Sequence, residues 1–269
     1  MKRRTSIAAG LLVVGLLGTR ASFAETISVP DDYELSQDAI DASSDGDVID
    51  IAPGVYKEFN LDPRGKPITI QGALNDDGTL TTTIDAQQGG SVFVFDSQEG
   101  EGTIVRNLVM VGGTGTQSYG FLHGGGILCQ LSHPTISNCM IIGHTAERGG
   151  GISCLFSRPT IDNCVISDNA ADVGGGIHCF GSTSSPTITD CTISDNTAFS
   201  GAGIGCQSHS PVPNTPIISG CTIKNNIASQ NGGGILCNDS NATLSACTIS
   251  GNTANDGGGI FCYSGNPTI

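Results

Sequence analysis

The chain has 269 residues, with 39 glycines, 11 cysteines, no tryptophan and only 13% charged residues. Glycine at about twice normal usage without a Gly-X-Y period excludes collagen, and 38% hydrophobic residues exclude a disordered chain. A net charge of −14 excludes a nucleic-acid binder, because such a surface repels phosphate.

The first segment is Met1-Lys2-Arg3-Arg4, an apolar run from Ile7 to Leu17, and then Ser22-Phe23-Ala24. A basic start, a short apolar stretch and small residues at −3 and −1 read as a signal peptide over residues 1–24. The apolar run is too short to span a bilayer comfortably. A secreted or cell-surface protein is therefore expected. Removing the segment takes away Lys2, Arg3, Arg4 and Arg20 and leaves 7 Lys and Arg against 25 Asp and Glu, a net charge of −18.

Residues 25–123 read as an N-terminal cap followed by the first turns of a coil. Leu35–Ser43 is expected to form a short helix with Leu35, Ala39, Ile40 and Ala42 on one face. Ser44-Asp45-Gly46-Asp47 is a turn, Val48–Ala52 a strand and Pro53-Gly54 another turn. Ile68–Gly72, Thr83–Asp85, Val92–Phe95 and Thr103–Val111 read as further strands.

From residue 124 to 269 the chain repeats itself. Gly124-Gly125-Gly126-Ile127-Leu128-Cys129 returns at 149, 174, 201, 232 and 257, with spacings of 25, 25, 27, 31 and 25 residues. A second block follows each one, as in Pro159-Thr160-Ile161-Asp162-Asn163-Cys164-Val165-Ile166-Ser167-Asp168-Asn169. The two longer repeats carry insertions at Ser182–Ser185 and around Pro211–Pro216. A fixed period of this size means a solenoid, and alternating apolar residues without helix-forming stretches make it a β one. The expected fold is all-β: a right-handed parallel β-helix with three short strands per turn and a short N-terminal capping helix.

Stacking turns aligns like residues into columns. Asn169, Asn196, Asn226 and Asn252 form an expected amide ladder on corners where asparagine tolerates a left-handed backbone, with His144 as a break in it. The cysteines fall into two columns: Cys129, Cys154, Cys179, Cys206, Cys237 and Cys262, and Cys139, Cys164, Cys191, Cys221 and Cys247. Their odd number, and a rung spacing wider than a relaxed bridge prefers, favour buried thiols over disulfides or a zinc site. Val105–Met110 matches Ile161–Ile166 with leucine in the cysteine slot, so the column asks for a hydrophobe. Thr135, Thr160, Thr187, Thr243 and Thr268 form an outward column, partly doubled by Ser137, Thr189, Ser219 and Ser245 and interrupted by Asp162 and Ile217.

The stretch from Ala39 to Glu58, AIDASSDGDVIDIAPGVYKE, followed by Ile68-Thr69-Ile70-Gln71-Gly72, resembles the opening of pectin-lyase-like right-handed β-helix proteins. The Gly-Gly-Gly-Ile and Ile-x-x-Asn blocks resemble the paired repeats of polymorphic outer-membrane proteins. These resemblances cover nearly all of the mature chain and imply the fold. For pectate lyases of this fold, the resemblance implies carboxylate-bound calcium and a basic residue that abstracts a proton beside a uronate carboxylate. Arg64, Arg106, Arg148, Arg158, Lys57, Lys66 and Lys224 are the available bases, and none lies in a recognisable lyase motif.

Asp168 and Asp195, equivalent positions on adjacent turns with Asn225 one turn further, are the candidate calcium ligands; no other cofactor is indicated. The function expected is an exported, non-catalytic β-helix module of a cell-surface or adhesin-like protein, its partner an extracellular polysaccharide or a surface receptor. The alternative is a polysaccharide-active enzyme of pectate-lyase type acting on acidic glycans, and a lesser one is an ice-binding threonine face. Few aromatics argue against a sugar-stacking cleft. A carboxylate cluster with a nearby Arg or Lys on one outward strand would mark the enzyme. The chain stops at Asn266-Pro267-Thr268-Ile269, the start of another second block, so a half-built final turn and a truncated C-terminus are expected. Membrane association is then expected only through sequence beyond Ile269.

Overall fold

Each repeat carries three short apolar–polar alternations separated by corners, and each alternation becomes one strand. A computed structural model describes residues 24–269; the signal peptide expected over residues 1–24 lies outside these but for its last residue. Three parallel sheets of nine, eight and seven strands run side by side along a solenoid of about eight turns. One turn gives Thr160–Asp162 to the first sheet, Val165–Ser167 to the second and Ile177–Phe180 to the third. The register repeats without slip across the third sheet. Ile127, Ile152, Ile177, Ile204, Ile235 and Ile260 pair in series, and so do Cys129, Cys154, Cys179, Cys206, Cys237 and Cys262.

The core is the inside of this coil. Ile136, Ile161, Ile188 and Ile218 stack from the first sheet and Ile141, Ile166, Ile193 and Ile223 from the second, all shut off from solvent. Leu108 occupies the slot that Cys139, Cys164, Cys191 and Cys221 fill on later turns, and all are buried. Cysteine adds something leucine cannot at this corner. Each thiol donates weakly to the carbonyl two residues back, as from Cys164 to Asp162 at 3.2 Å and from Cys191 to Thr189 at 3.1 Å.

The corners correct one expectation. The left-handed residue is not the ladder asparagine but the residue before it: Gly143, Asp168, Asp195, Asn225 and Gly251 all have φ between 56° and 69°. Short polar side chains and glycine are the residues that tolerate this backbone. The first glycine of each run does the same at another corner, as Gly149 does at φ 65°. The third glycine is required for a different reason. A Cβ on Gly151 would lie 2.6 Å from the carbonyl oxygen of Gly176 on the next turn, so only hydrogen lets the turns stack.

Other differences are local. The stretch expected as one strand over Thr103–Val111 is two, Ile104–Arg106 and Val109–Val111, because Asn107 at φ 61° turns a corner between them. Helix α1 (Ser36–Ala42) forms, but Leu35 and Ala42 face solvent while Ser36, Ala39 and Ile40 are buried over the first turn. Two further elements were not expected. The segments Ala170–Val173, Thr197–Ser200 and Ile227–Asn231 form a fourth, three-stranded sheet, and Thr116–Ser118 pairs antiparallel with Phe121–His123 as a hairpin.

Candidate functional site

The structure places each group of candidate residues on its own column of the solenoid. Asp168 and Asp195 occupy equivalent left-handed corners on adjacent turns with exposed side chains. Their conformation accounts for their residue type, and among the described residues no group of three or more His, Cys, Asp or Glu could hold a metal ion. Of the ladder asparagines, Asn169, Asn196 and Asn226 are buried inside the next corner and Asn252 is half-buried. Oδ1 of Asn196 accepts from the backbone N–H and from Nδ2 of Asn169, and its own Nδ2 donates to Ile166 O. Asn226 repeats this toward Asn196, and Asn252 toward Asn226. All eleven cysteines are free thiols; nine are buried, Cys247 is half-buried and Cys262 exposed. The threonine column is in register on the first sheet, from Thr135 through Thr160 and Thr187, across Ile217, to Thr243 and Thr268.

A groove lies elsewhere, on the outer face of the third sheet. Strand alternation turns Leu128, Ser153, His178, Gly205, Leu236 and Phe261 outward in one column. Gln130, Leu155, Phe180, Gln207 and Asn238 form the column beside it. One wall is a ladder of His123, Arg148, Val173, Ser200, Asn231 and Asp256, which joins the hairpin to the fourth sheet. Three hollows of about 700, 370 and 330 Å³ lie along this face. The first two share Arg148 and Gln207, and the last two share Phe156.

The widest hollow is lined by Phe199, Phe261 and Tyr263 together with Gln207, Asn231, Asn238, Arg148 and Asp172. The middle one is an aromatic and imidazole chamber. Tyr119 meets Phe156 edge to face at 6.0 Å between ring centroids, Phe156 meets Phe180 at 5.9 Å, and Phe180 meets His209 at 5.3 Å. His178 stacks with Phe180 at 5.8 Å and with His123 at 6.3 Å. The Arg148 guanidinium lies 4.9 Å from the Phe121 ring centre, a cation–π contact, and makes no salt bridge among the described residues. Gly181 matters here: it adopts φ 97°, and a Cβ on it would run into the Phe156 ring.

Both inner histidines are held neutral. Burial, and next the Arg148 charge, lower His123 to about 4. Burial, then His123 and Arg148, lower His178 to about 3. His123 Nδ1 sits 3.1 Å from Ser153 Oγ, and both residues are buried. Asp172 is the one carboxylate lining the three hollows. The groove can therefore stack rings and hydrogen-bond hydroxyls, with Asp172 as the one carboxylate and Arg148 as the one guanidinium of its first two hollows.

Counting aromatics hid this site; mapping them onto the repeat exposes it. Leu155-Phe156, Phe180 and Tyr263 all sit at or just after the position following the cysteine, which the alternation points outward. Tyr119 and Phe121 lie in the ten residues before the first glycine run. A low overall aromatic content is therefore compatible with a ring-lined hollow, because the few rings are gathered on one face.

Residues 118–269 match the family described as "Right handed beta helix region". Among curated proteins none matches the chain in sequence. Among solved structures, the crystal structure of a pectin methylesterase from Aspergillus niger is similar, with a TM-score of 0.50 and 18% identity. That likeness covers 87% of this chain and 86% of the other, and at this identity it is a likeness of fold.

Proposed function

This chain belongs to the right-handed β-helix family, and from that premise we propose that it is an exported, non-catalytic module that binds an extended polysaccharide along the outer groove of its third sheet. The observation that carries this is the lining of the groove: along the solenoid axis the Phe180 ring on one side and the Phe261 and Tyr263 rings on the other flank the planar amides of Gln207 and Asn238, with Asn231 on the wall beside them. Rings supply flat apolar platforms, and amides pair with hydroxyls on both their donor and acceptor sides. The favoured glycan is neutral. Within the groove Arg148 and Asp172 offset each other, and the strongly acidic chain around them disfavours polyanions. Such binding suits a secreted or cell-surface protein.

The second reading is a polysaccharide-active enzyme acting on acidic glycans, of which the similarly folded pectin methylesterase is by name an example in pectin chemistry. In that case Asp172 would have to act as the acid or base and Arg148 would hold the substrate's charge. Calorimetric titration with cellohexaose, mannohexaose and a galacturonate hexamer separates the two. We expect saturable binding of a neutral hexaose, weakened about tenfold by Tyr263→Ala, with no products formed. Product release from the galacturonate hexamer or its methyl ester, abolished by Asp172→Asn, would replace binding with catalysis. Failure of all three ligands to bind would defeat both.

A further inference from the structure

The middle hollow has features that a sugar site does not explain. It is enclosed by Tyr119, Phe121, Leu155, Phe156 and Phe180 as well as three imidazoles, so rings face it from several sides. A sugar ring carries hydroxyls around its whole edge, and several would be left unpaired against these walls, at a cost for each one. A flat ring without that fringe would not meet this cost. At about 370 Å³ the hollow is at the small end of ligand sites and suits a single ring.

Two buried nitrogens specify what the ring carries. His123 and His178 are 3% and 1% exposed, and among the described residues Nε2 of His123 and Nδ1 of His178 have no hydrogen-bond partner. Such orphans are uncommon in folded proteins. Nε2 of His178 faces the Gln207 amide oxygen at 3.3 Å, so that nitrogen carries the proton and Nδ1 is a bare acceptor. His123 Nδ1 faces the Ser153 hydroxyl, which can donate to it and leave the proton on Nε2. One orphan thus asks for a donor and the other for an acceptor. A single hydroxyl is both.

From this the geometry points to a second binding site in the middle hollow, for a phenol: a flat aromatic ring held by Phe156 and Phe180, with its hydroxyl donating to His178 Nδ1 and accepting from His123 Nε2. The neutrality that burial imposes on both histidines keeps these roles available at ordinary pH. The site does not depend on the polysaccharide reading, although Arg148 and Gln207 line both hollows.

Titrating the folded chain with 4-methylphenol, followed by ligand-observed NMR, tests this. Saturable binding with a Kd on the order of 0.1–1 mM is expected. Toluene, which lacks the hydroxyl, and cyclohexanol, which lacks the flat ring, should each bind about tenfold more weakly. His178→Phe keeps a ring in place and removes the acceptor, so it should weaken 4-methylphenol about tenfold while leaving toluene unchanged. Tyr119→Ala, at the exposed rim, is a variant that leaves the solenoid interior intact and should weaken 4-methylphenol about threefold. Equal binding of the three probes overturns the proposal. So does no saturation, with water satisfying the two nitrogens, or unchanged affinity in both variants. Retained 4-methylphenol binding in a chain that binds no hexaose would defeat the polysaccharide reading alone.

Discussion

His144 stands where asparagine stands on the four turns after it, and it makes the same bonds to the backbone. Its Nδ1 accepts from the Gly113 N–H at 2.9 Å, as Asn196 Oδ1 accepts from Asn169, and its Nε2–H donates to Met110 O as Asn196 Nδ2 donates to Ile166 O. Its own N–H donates to Asn169 Oδ1, so the backbone-to-amide bonds of the ladder run through it. The expected break is thus partial: the side-chain links between amides start only at Asn169, while the imidazole, with an acceptor and a donor in one plane, keeps the bonds to the backbone. This arrangement requires the neutral ring, and burial lowers the His144 pKa to about 4. Between pH 6.5 and 4 the unfolded chain takes up a proton at this residue that the folded chain refuses. The resulting stability, complete above pH 6.5, is lost as pH falls toward 4, by about 3 kcal/mol. His144→Asn should keep the ladder and be about as stable as the parent at pH 7. In urea melts at pH 4 it should retain about 3 kcal/mol more. An acid loss equal to the parent's would place the sensitivity on other groups.

Helix α1 shows how an element with weak signals of its own is fixed from outside. Leu35 at its N-cap offers no capping side chain. The cap comes instead from Glu58, whose Oε1 accepts from the Ser36 N–H at 3.0 Å and Oγ at 2.8 Å, and whose Oε2 accepts from the Gln37 N–H. At the other end Lys66 Nζ donates to the carbonyls of Ile40, Asp41 and Ser43 at 2.7–2.9 Å. Opposite charges at opposite ends also suit the helix dipole. So clamped, the helix presses Ala39 and Ile40 onto the first turn and covers the apolar interior there. Glu58→Ala strips this cap and should cost about 1–3 kcal/mol. Hydrogen exchange should show it as faster exchange at Ser36 and Gln37, with the amides of the later turns unchanged. Unaltered exchange at those two residues would mean that packing alone holds the helix.

Over the whole molecule, accessibility of the two cysteine columns is set by position along the coil. Interior thiols lie in contact with the neighbouring turn, and the Cys164 thiol, then burial, push Cys191 up to about 12. A buried thiol of this kind is inert toward alkylation. Native protein treated with a maleimide should therefore modify Cys262 first and Cys247 more slowly, and the other nine only after unfolding. Mass spectrometry reads the count directly. Rapid modification of interior cysteines would show that the turns open independently, and thiols missing after unfolding would reveal disulfides.

The periodic part of this protein was legible in the chain itself. A spacing near 25 residues, inward isoleucines and aligned cysteines specify a stacked coil, because each turn can bury its apolar side only against the next, which repeats it. The register followed from the same pattern, since a slip by one residue would turn every isoleucine outward. The corner chemistry was only half legible: the residue types were right, but asparagine has two uses, and whether it supplies a left-handed backbone or a buried amide depends on which of two adjacent residues faces the core. The groove could not be read in this way. Its parts come from turns tens of residues apart, from a hairpin inserted ahead of the repeats and from a fourth sheet with no hydrophobic period. Only the winding of the chain brings Tyr119, Arg148, His178 and Tyr263 to one face. Repetition is a local property and is written in the sequence; a surface assembled across turns depends on where the non-repeating residues land, and the tertiary structure alone decides that.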